Sequence, residues 1–138
     1  MEKNELVTIR DIESEDINFI YATWLRGLYY GESYFSLMPK DIFMAKYHGV
    51  IKLILDSPHT DISLACLKND PEVILGYSIL YNDKECKGIH FVFVKKAWRS
   101  IGIAKSLIPR DTKFATHLTK TGIELIKKYH IDFNPFLM

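Results

Sequence analysis

The sequence predicts an α/β fold in which a mixed, mostly antiparallel sheet has helices on both sides. Two helical apolar patterns follow one short strand, three short apolar segments form consecutive hairpins, and a glycine-containing turn leads from a buried strand into a short helix. The chain has 138 residues, of which 48% are hydrophobic and 25% charged. This is enough for one soluble domain with its own core, and we expect that domain to span residues 1–138.

The first part of the chain predicts one strand and two helices. Residues 6–9 form a short β-branched run that is typical of an opening strand. Ser14 is a candidate helix cap, because it precedes apolar residues at helical spacing. These residues are Ile17, Ile20, Tyr21, Trp24, Leu25 and Leu28. An aromatic loop, expected over residues 27–39, separates this helix from a second one over residues 41–58.

Three short apolar segments separated by polar turns in the middle of the chain predict three antiparallel strands, of which the first alternates between apolar and polar residues. The first covers residues 62–66 and the second covers residues 73–81, with a turn at residues 69–71 between them. The polar residues 82–88 close the next hairpin. Residues 89–94 are apolar on both faces, so this strand, the fourth of the chain after the opening one, is expected in the middle of the sheet.

The segment after that strand predicts an anion-binding turn. The strand ends at Lys95 and a short helix begins at about Gly102, where backbone N–H groups lack partners within the helix. Gly102 permits the close approach of a phosphate, and Arg99 adds positive charge. The glycine fingerprints of dinucleotide-binding and phosphate-loop proteins are both absent, which argues against nicotinamide and nucleoside-triphosphate enzymes.

This order of elements and this turn resemble the GNAT superfamily of acyl-CoA-dependent N-acetyltransferases. The run Arg99, Ser100, Ile101, Gly102, Ile103, Ala104 is similar to the family's (Q/R)-x-x-G-x-(G/A) pyrophosphate loop. The resemblance covers most of the chain and implies acetyl-CoA, or a related acyl-CoA, as co-substrate. It also implies that the loop backbone binds the pyrophosphate and that Val92, Phe93 and Val94 offer a strand edge to the pantetheine arm.

The chain departs from the family pattern after the loop. Pro109 is expected to end the helix after about seven residues, whereas typical members have three or more turns. A fifth strand is expected over residues 114–118 and a last helix over residues 119–129. The family has a tyrosine in this helix that protonates the leaving thiolate, and Ile126 takes its place here. Tyr129, one turn later, is the remaining candidate acid.

Two histidines are candidate bases. An amine of the lysine type has an ordinary pKa of about 10.4, so at pH 7 its attack on a thioester needs a base or a water chain. His90 stands near the start of the fourth strand, on the face expected for Val92 and Val94. His117 stands at the end of the expected fifth strand. A backbone hydrogen bond for His90 and a helix cap for His117 are the alternatives.

The aromatic loop between the first two helices is the expected acceptor wall. By resemblance, Tyr30, Glu32 and Tyr34 lie there, and Glu32 is a candidate partner for a cationic amine, with a solvated loop acid as the alternative. The expected partners are therefore an acyl-CoA and an amine on a small molecule or a protein. Apolar residues such as Phe35 and Phe136 leave a protein partner or self-association open.

Composition argues against several other classes. Cys66 and Cys86 are too few for a disulfide scaffold and lack zinc spacing, so we expect no metal site and a reducing, cytoplasmic compartment. No apolar stretch predicts a membrane span or a signal peptide. Residues 1–83 carry a net charge of −6 and residues 84–138 one of +7. The basic residues are scattered, so nucleic-acid binding is not expected.

Transfer of an acetyl group from acetyl-CoA to an amine is the predicted function. The alternative is a GNAT-fold protein that no longer catalyses and acts as a binding or structural subunit, for example a phage virion or accessory component. The short cofactor helix and Ile126 favour this alternative. The two functions differ in whether the loop opens onto a CoA site or a side chain such as Trp98 fills it.

Overall fold

The computed structural model describes residues 3–32, 34–117 and 119–137, which contain a six-stranded sheet in the order β1-β2-β3-β4-β5-β6. The strands are β1 (Val7–Asp11), β2 (Thr60–Leu67), β3 (Asp70–Asn82), β4 (Lys87–Val94), β5 (Phe114–Ala115) and β6 (Asp132–Phe133). The helices are α1 (Ile17–Gly31), α2 (Lys40–Asp56), α3 (Ile103–Leu107) and α4 (Lys120–Tyr129). Strands β1 to β4 are antiparallel, and β5 and β6 join in parallel. The predicted mixed, mostly antiparallel sheet is confirmed.

Helices cover both faces of the sheet, as predicted. On one face, α1 and α2 pack the buried side chains of Trp24 and Phe43 against Tyr77 of β3. On the other face, α3 packs Ile103 against Leu75. Burial of these side chains stabilises the fold by roughly 1.5–3 kcal/mol for each large apolar residue.

A carboxylate, and not the predicted Ser14 cap, fixes the start of α1. The Arg10 guanidinium donates to both carboxylate oxygens of Asp16, at 2.8 and 3.0 Å. The same carboxylate accepts from the backbone N–H of Glu13 at 2.8 Å, and the turn Ser14–Asp16 leads into α1. Hydrogen bonds from Arg10 lower the pKa of Asp16. The prediction for Ser14 is wrong because the capping box closes between Glu13 and Asp16.

Helix α1 continues past Gly27, where the sequence predicted a loop. A Cβ atom at Gly27 would lie 3.0 Å from the ring of Phe91, so the missing side chain lets that ring pack against the helix. A glycine inside a helix costs only about 1 kcal/mol. Leu28 and Tyr29 are buried one turn further on and continue the packed face. Tertiary packing therefore overrides the local signal.

Strand β4 contains a β-bulge at His90. Ile79 pairs with Phe91, and the next residue of β3, Leu80, pairs with Ile89, so β4 has one extra residue. A bulge interrupts the alternation of side chains. His90 consequently lines a cavity with residues of α2, while Val92 packs on the opposite, α3 face. The prediction that His90 shares a face with Val92 and Val94 is wrong for this reason.

The short strand β5 opens the sheet. It pairs with β4 at Gly88 and Ile89, so β4 extends beyond its described partner from His90 to Val94. The predicted strand over residues 114–118 is too long, since Thr116 already lies outside β5, and residue 118 is outside the described residues. Strand β6 pairs with β5 in parallel and follows the last predicted helix.

Helix α3 is even shorter than predicted. It has five residues and ends at Leu107. Ile108 is extended, with φ −108° and ψ 115°. It precedes Pro109, and the residue before a proline disfavours the helical region. Proline thus ends this helix two residues ahead of its own position.

Candidate active site

The bulge in β4 and the end of β5 bring His90 and His117 together. Nδ1 of each imidazole lies 2.8 Å from the hydroxyl oxygen of Thr116. A hydroxyl has one proton, which Thr116 can donate to one imidazole or to the carbonyl oxygen of Ile89 at 3.5 Å, so at least one imidazole donates to Thr116. His90 is 2% exposed, and its Nε2 atom has no hydrogen-bond partner among the described residues. Both histidines thus bond to side chains, rather than to the backbone or helix groups of the alternative interpretations.

Tyr47 extends this chain of hydrogen bonds. Its hydroxyl is hydrogen-bonded to Nε2 of His117, and its ring stacks on Phe43 with the centroids 5.3 Å apart. The bonded groups therefore run in the order Tyr47, His117, Thr116, His90. Sequence reasoning placed Tyr47 in the second helix without a role. A phenol on an otherwise apolar helix face was the only local signal, and His117 is 70 residues away in sequence.

Burial keeps both imidazoles uncharged at neutral pH. Desolvation, with a smaller contribution from His117, lowers the pKa of His90 from 6.5 to about 4. Desolvation also lowers the pKa of His117 to about 4. The same cause raises the pKa of Tyr47. When Nδ1 of the neutral His90 carries the proton and donates it to Thr116, Nε2 of His90 carries a lone pair.

The chain of hydrogen bonds lines a cavity of about 230 Å³ on the α1 and α2 face, which we call the acceptor cavity. The described lining comes from the segment between α1 and α2, from α2 itself, from β4, from the end of β5 and from the C-terminal segment. It consists of Tyr34, Phe35, Tyr47, Val50, Ile54, His90, Thr116, His117, Phe133, Pro135 and Leu137. Except for the histidines, Thr116 and two tyrosine hydroxyls, these side chains are apolar.

The three predicted acceptor residues have different surroundings. Tyr34 lines the acceptor cavity. Glu32 is 8% exposed, so it is not a solvated loop acid. Desolvation, and then the nearby Glu32 carboxylate, raises the pKa of Tyr34. Tyr30 is 59% exposed, and its hydroxyl accepts a hydrogen bond from Nζ of Lys40 at 3.0 Å.

The predicted anion-binding turn has a backbone suited to an anion. Ser100 and Gly102 both have positive φ, at 68° and 92°. Left-handed residues in a turn direct backbone N–H groups toward one concavity, which is a common anion site. A Cβ atom at Gly102 would meet nothing within 4 Å, so this side of the loop is open. Nε of Arg99 donates to the carbonyl oxygen of Val94 at 3.0 Å and ties the loop to the end of β4.

A second cavity, of about 550 Å³, lies beside Gly102, and we call it the cofactor cavity. Lys105 and Arg110 line it together with apolar side chains that include Ile108 and Ile131. Arg110 and the apolar lining residues are functional candidates that sequence analysis missed. They lie after the loop motif, in a part of the chain where no pattern indicated a binding site. Trp98 packs against the apolar cluster that includes Leu75 and Ile103.

The two candidate positions for a general acid differ in chemistry. Ile126, at the family's tyrosine position, packs against the apolar cluster that includes Ile89 and Ile108. Tyr129 packs against the same cluster and lines the cofactor cavity. Its ring also lies 5.4 Å from Nζ of Lys128. A phenol therefore lines the cavity beside Gly102, three residues from the position where the family pattern has one.

Comparisons with solved structures give the same fold. A candidate acetyl transferase from Pyrococcus furiosus is 17% identical with a TM-score of 0.59, over 93% of this chain and 80% of that chain. A possible acetyltransferase from Clostridium difficile 630 is 16% identical with a TM-score of 0.58, over 91% of this chain and 88% of that chain. The aminoglycoside N-acetyltransferase AAC(6')-Iy in complex with CoA is 16% identical with a TM-score of 0.51, over 91% and 87%. The chain therefore has the GNAT fold.

Other comparisons and searches were negative. No family model and no curated protein sequence matches the chain. Over residues 3–32, 34–117 and 119–137, no helix is long and apolar enough to cross a membrane. The same residues contain no cluster of three or more side chains that could hold a metal ion.

Proposed function

We propose that this chain is an acyl-CoA-dependent N-acetyltransferase that transfers the acetyl group of acetyl-CoA to an amine by direct attack. The opening of the sheet after Ile89 is the observation that carries this proposal. At that opening, the edge of β4 lies between a basic cavity on one face and buried histidines on the other. The GNAT fold is consistent with this reaction, although a fold alone does not determine function.

The residues around Gly102 fit acetyl-CoA. This co-substrate combines an anionic pyrophosphate with a largely apolar pantetheine arm. The cofactor cavity has walls of both kinds, with Lys105 and Arg110 as cations and Ile108 among the apolar side chains. In the proposed complex the backbone of residues 99–104 binds the pyrophosphate. The edge of β4 at residues 92–94 then pairs with the pantetheine amides.

The histidines are proposed to receive the proton that the amine loses. The amine nitrogen forms a bond to the thioester carbonyl carbon, and the carbon–sulfur bond breaks with its electron pair on sulfur. The nitrogen's proton goes to Nε2 of His90 when this atom carries a lone pair. The thiolate then takes a proton from solvent or from Tyr129, which balances the reaction.

The chain of hydrogen bonds can return His90 to the neutral form, with its proton on Nε2 in place of Nδ1. Nδ1 of His90 passes its proton to Thr116, and Thr116 passes its own proton to Nδ1 of His117. Nε2 of His117 then gives its proton to the hydroxyl of Tyr47, which releases one to solvent. The net effect is a proton moved from the amine to solvent without a charged imidazole in between. Reversal of these transfers through solvent exchange resets the chain.

A binding protein without catalysis is the second candidate function. Ile126 favours it, because a thiolate near that position meets an apolar side chain and no hydroxyl. In that case the cofactor cavity would retain CoA, or a related anion, without turnover. The enzyme would release the CoA thiol from acetyl-CoA when an amine is added, whereas the binding protein would not.

Steady-state release of the CoA thiol from acetyl-CoA, measured with a panel of amines, tests the proposal. We expect amine-dependent release that falls by a factor of about 10² to 10⁴ in His90→Ala, since general-base catalysis contributes that much. His59→Ala is the matched control, because His59 is exposed and lies outside both cavities. Binding of acetyl-CoA without release of thiol for any amine would contradict the proposal and favour the binding protein.

The cysteines agree with a cytoplasmic site of action, which we also propose. Cys66 is buried in the sheet, and Cys86 belongs to the turn between β3 and β4. Both are free thiols. Free thiols persist in a reducing compartment.

A further inference from the structure

We propose that the amine acceptor is a small aromatic amine that carries no second positive charge, and that it binds in the acceptor cavity. This inference rests on the proposed acetyl transfer and specifies its second substrate. It follows from the lining, the size and the charge of the cavity.

The lining favours an aromatic ring. Phe35 and Tyr47 line the cavity in an edge-to-face arrangement, with their ring centroids 5.4 Å apart, and the Tyr34 ring lies 4.6 Å from that of Phe35. Val50 and Ile54 of α2 complete an apolar wall. Aromatic pairs at such distances gain about 0.5–1.5 kcal/mol beyond the area they bury. A flat ring therefore has more to gain here than a polar chain.

The size of the cavity favours a small acceptor. Sites for drug-sized ligands have volumes of about 300–1,000 Å³. The acceptor cavity has about 230 Å³ and is open to solvent on one side. One ring with a short substituent fits this space, whereas further linked rings would lie outside it and gain little from its apolar wall.

The charge of the cavity disfavours a polycation. No Asp or Glu side chain is present in its described lining. Glu32 lies beside Tyr34 and already interacts with that hydroxyl group. A second ammonium would be buried without a counter-charge, which is strongly unfavourable.

The polar end of the cavity suits the amino group. Nε2 of His90 has no hydrogen-bond partner among the described residues although the side chain is almost fully buried. Buried polar atoms normally have a partner, and an amine supplies one. An amino group on an aromatic ring is neutral at pH 7 because the ring delocalises its lone pair. Such a nucleophile loses its proton only after attack, so the low pKa of His90 is sufficient.

Competing acceptors test this inference. With acetyl-CoA saturating, thiol release is measured at pH 7 for 4-methoxyaniline, whose amino group is on the ring, and for spermidine as a polycation. We expect kcat/KM for 4-methoxyaniline to exceed that for spermidine at least tenfold. A preference for spermidine would overturn the inference while leaving the proposed acetyl transfer intact.

A pair of variants in α2 ties the preference to the cavity. Val50→Phe fills the acceptor cavity and is expected to raise KM for the ring amine at least tenfold without changing Kd for acetyl-CoA. Leu53→Phe is the matched control, because Leu53 is 63% exposed on the same helix. Equal KM values for the two variants would overturn the inference. If no amine is acetylated by the wild-type protein, the proposed function fails and this inference fails with it.

Discussion

The imidazoles of His90 and His117 share one hydroxyl group, because Nδ1 of each lies 2.8 Å from Oγ1 of Thr116. One hydroxyl proton cannot serve both nitrogens, so at least one of the two histidines carries its proton on Nδ1. The Thr116 hydroxyl can donate to an imidazole or to the carbonyl oxygen of Ile89, 3.5 Å away. A proton that Thr116 passes from one imidazole to the other changes the tautomers of both histidines together. This coupling is the basis for expecting the pair to act as one unit in catalysis.

Removal of the Tyr47 hydroxyl is expected to slow acetyl transfer. In Tyr47→Phe, His117 loses its partner at Nε2 and the chain of hydrogen bonds ends one link earlier. We expect kcat to fall roughly tenfold, a part of what a general base contributes, with KM for acetyl-CoA unchanged. Steady-state kinetics over a range of pH provide the measurement.

Tyr21→Phe is the control for this substitution. Tyr21 stacks on His48 with the centroids 4.2 Å apart and lines neither cavity. Equal kcat values for the two variants would show that the Tyr47 hydroxyl has no part in the reaction. A loss of kcat that is matched by an equal loss of folded protein would assign Tyr47 a purely structural role.

The buried histidines predict a fall in stability under mild acid. Their native pKa of about 4 lies below the ordinary value of 6.5, so the unfolded chain binds more protons between these limits. Their contribution is complete above pH 6.5 and is lost as the pH falls toward 4. The slope is at most about 1.4 kcal/mol per pH unit for each histidine.

Urea unfolding at several pH values between 7 and 5 measures this slope. His117→Gln is expected to show a shallower dependence than the wild type, because it removes one of the two groups. Asp16 titrates below this window, since Arg10 lowers its pKa from 3.8. An unchanged slope in His117→Gln would mean that His117 is already accessible to protons in the native state.

Two glycine substitutions with opposite expected effects on the free energy of unfolding test the pairing of β3 with β4, with a helical glycine as the control. A Cβ atom at Gly76 of β3 would lie 2.5 Å from the carbonyl oxygen of Phe93, so Gly76→Ala must separate β3 from β4. We expect a loss of about 2–3 kcal/mol in the free energy of unfolding. Gly49→Ala, on the exposed face of α2, meets nothing within 4 Å and is expected to gain about 0.5–1 kcal/mol. Equal effects in chemical denaturation would contradict the described register.

The order of the elements could be predicted from the sequence because it depends on local periodicity. Residues 62–66 alternate, residues 73–81 form an apolar run between turn residues, and the observed strands contain both segments. The bulge at His90 could not be predicted, because residues 89–94 are apolar on both faces and a shift of one residue leaves the pattern unchanged. Helix α1 extends beyond Gly27 because of the Phe91 ring, which is a contact distant in sequence.

Some residues of the candidate site could be predicted from the sequence, but their arrangement in space could not. His90 and His117 were recognised from their positions at strand ends, whereas their bridge depends on where β5 ends and on the bulge in β4. Tyr47 and Arg110 were missed because each acquires its role from a neighbour in space. Contacts between residues far apart in the chain produce no regular residue spacing that could be recognised in the sequence.

Thermal unfolding with acetyl-CoA tests the central claim most directly. A ligand at 100 times its Kd stabilises the native state by about 2.7 kcal/mol, which raises Tm by several degrees. We predict this rise for the wild type and for Lys46→Glu, whose changed residue is exposed on α2, and its loss in Arg99→Glu and Arg110→Glu. No rise for the wild type at millimolar acetyl-CoA, or an equal rise in all four proteins, would contradict the proposed cofactor site.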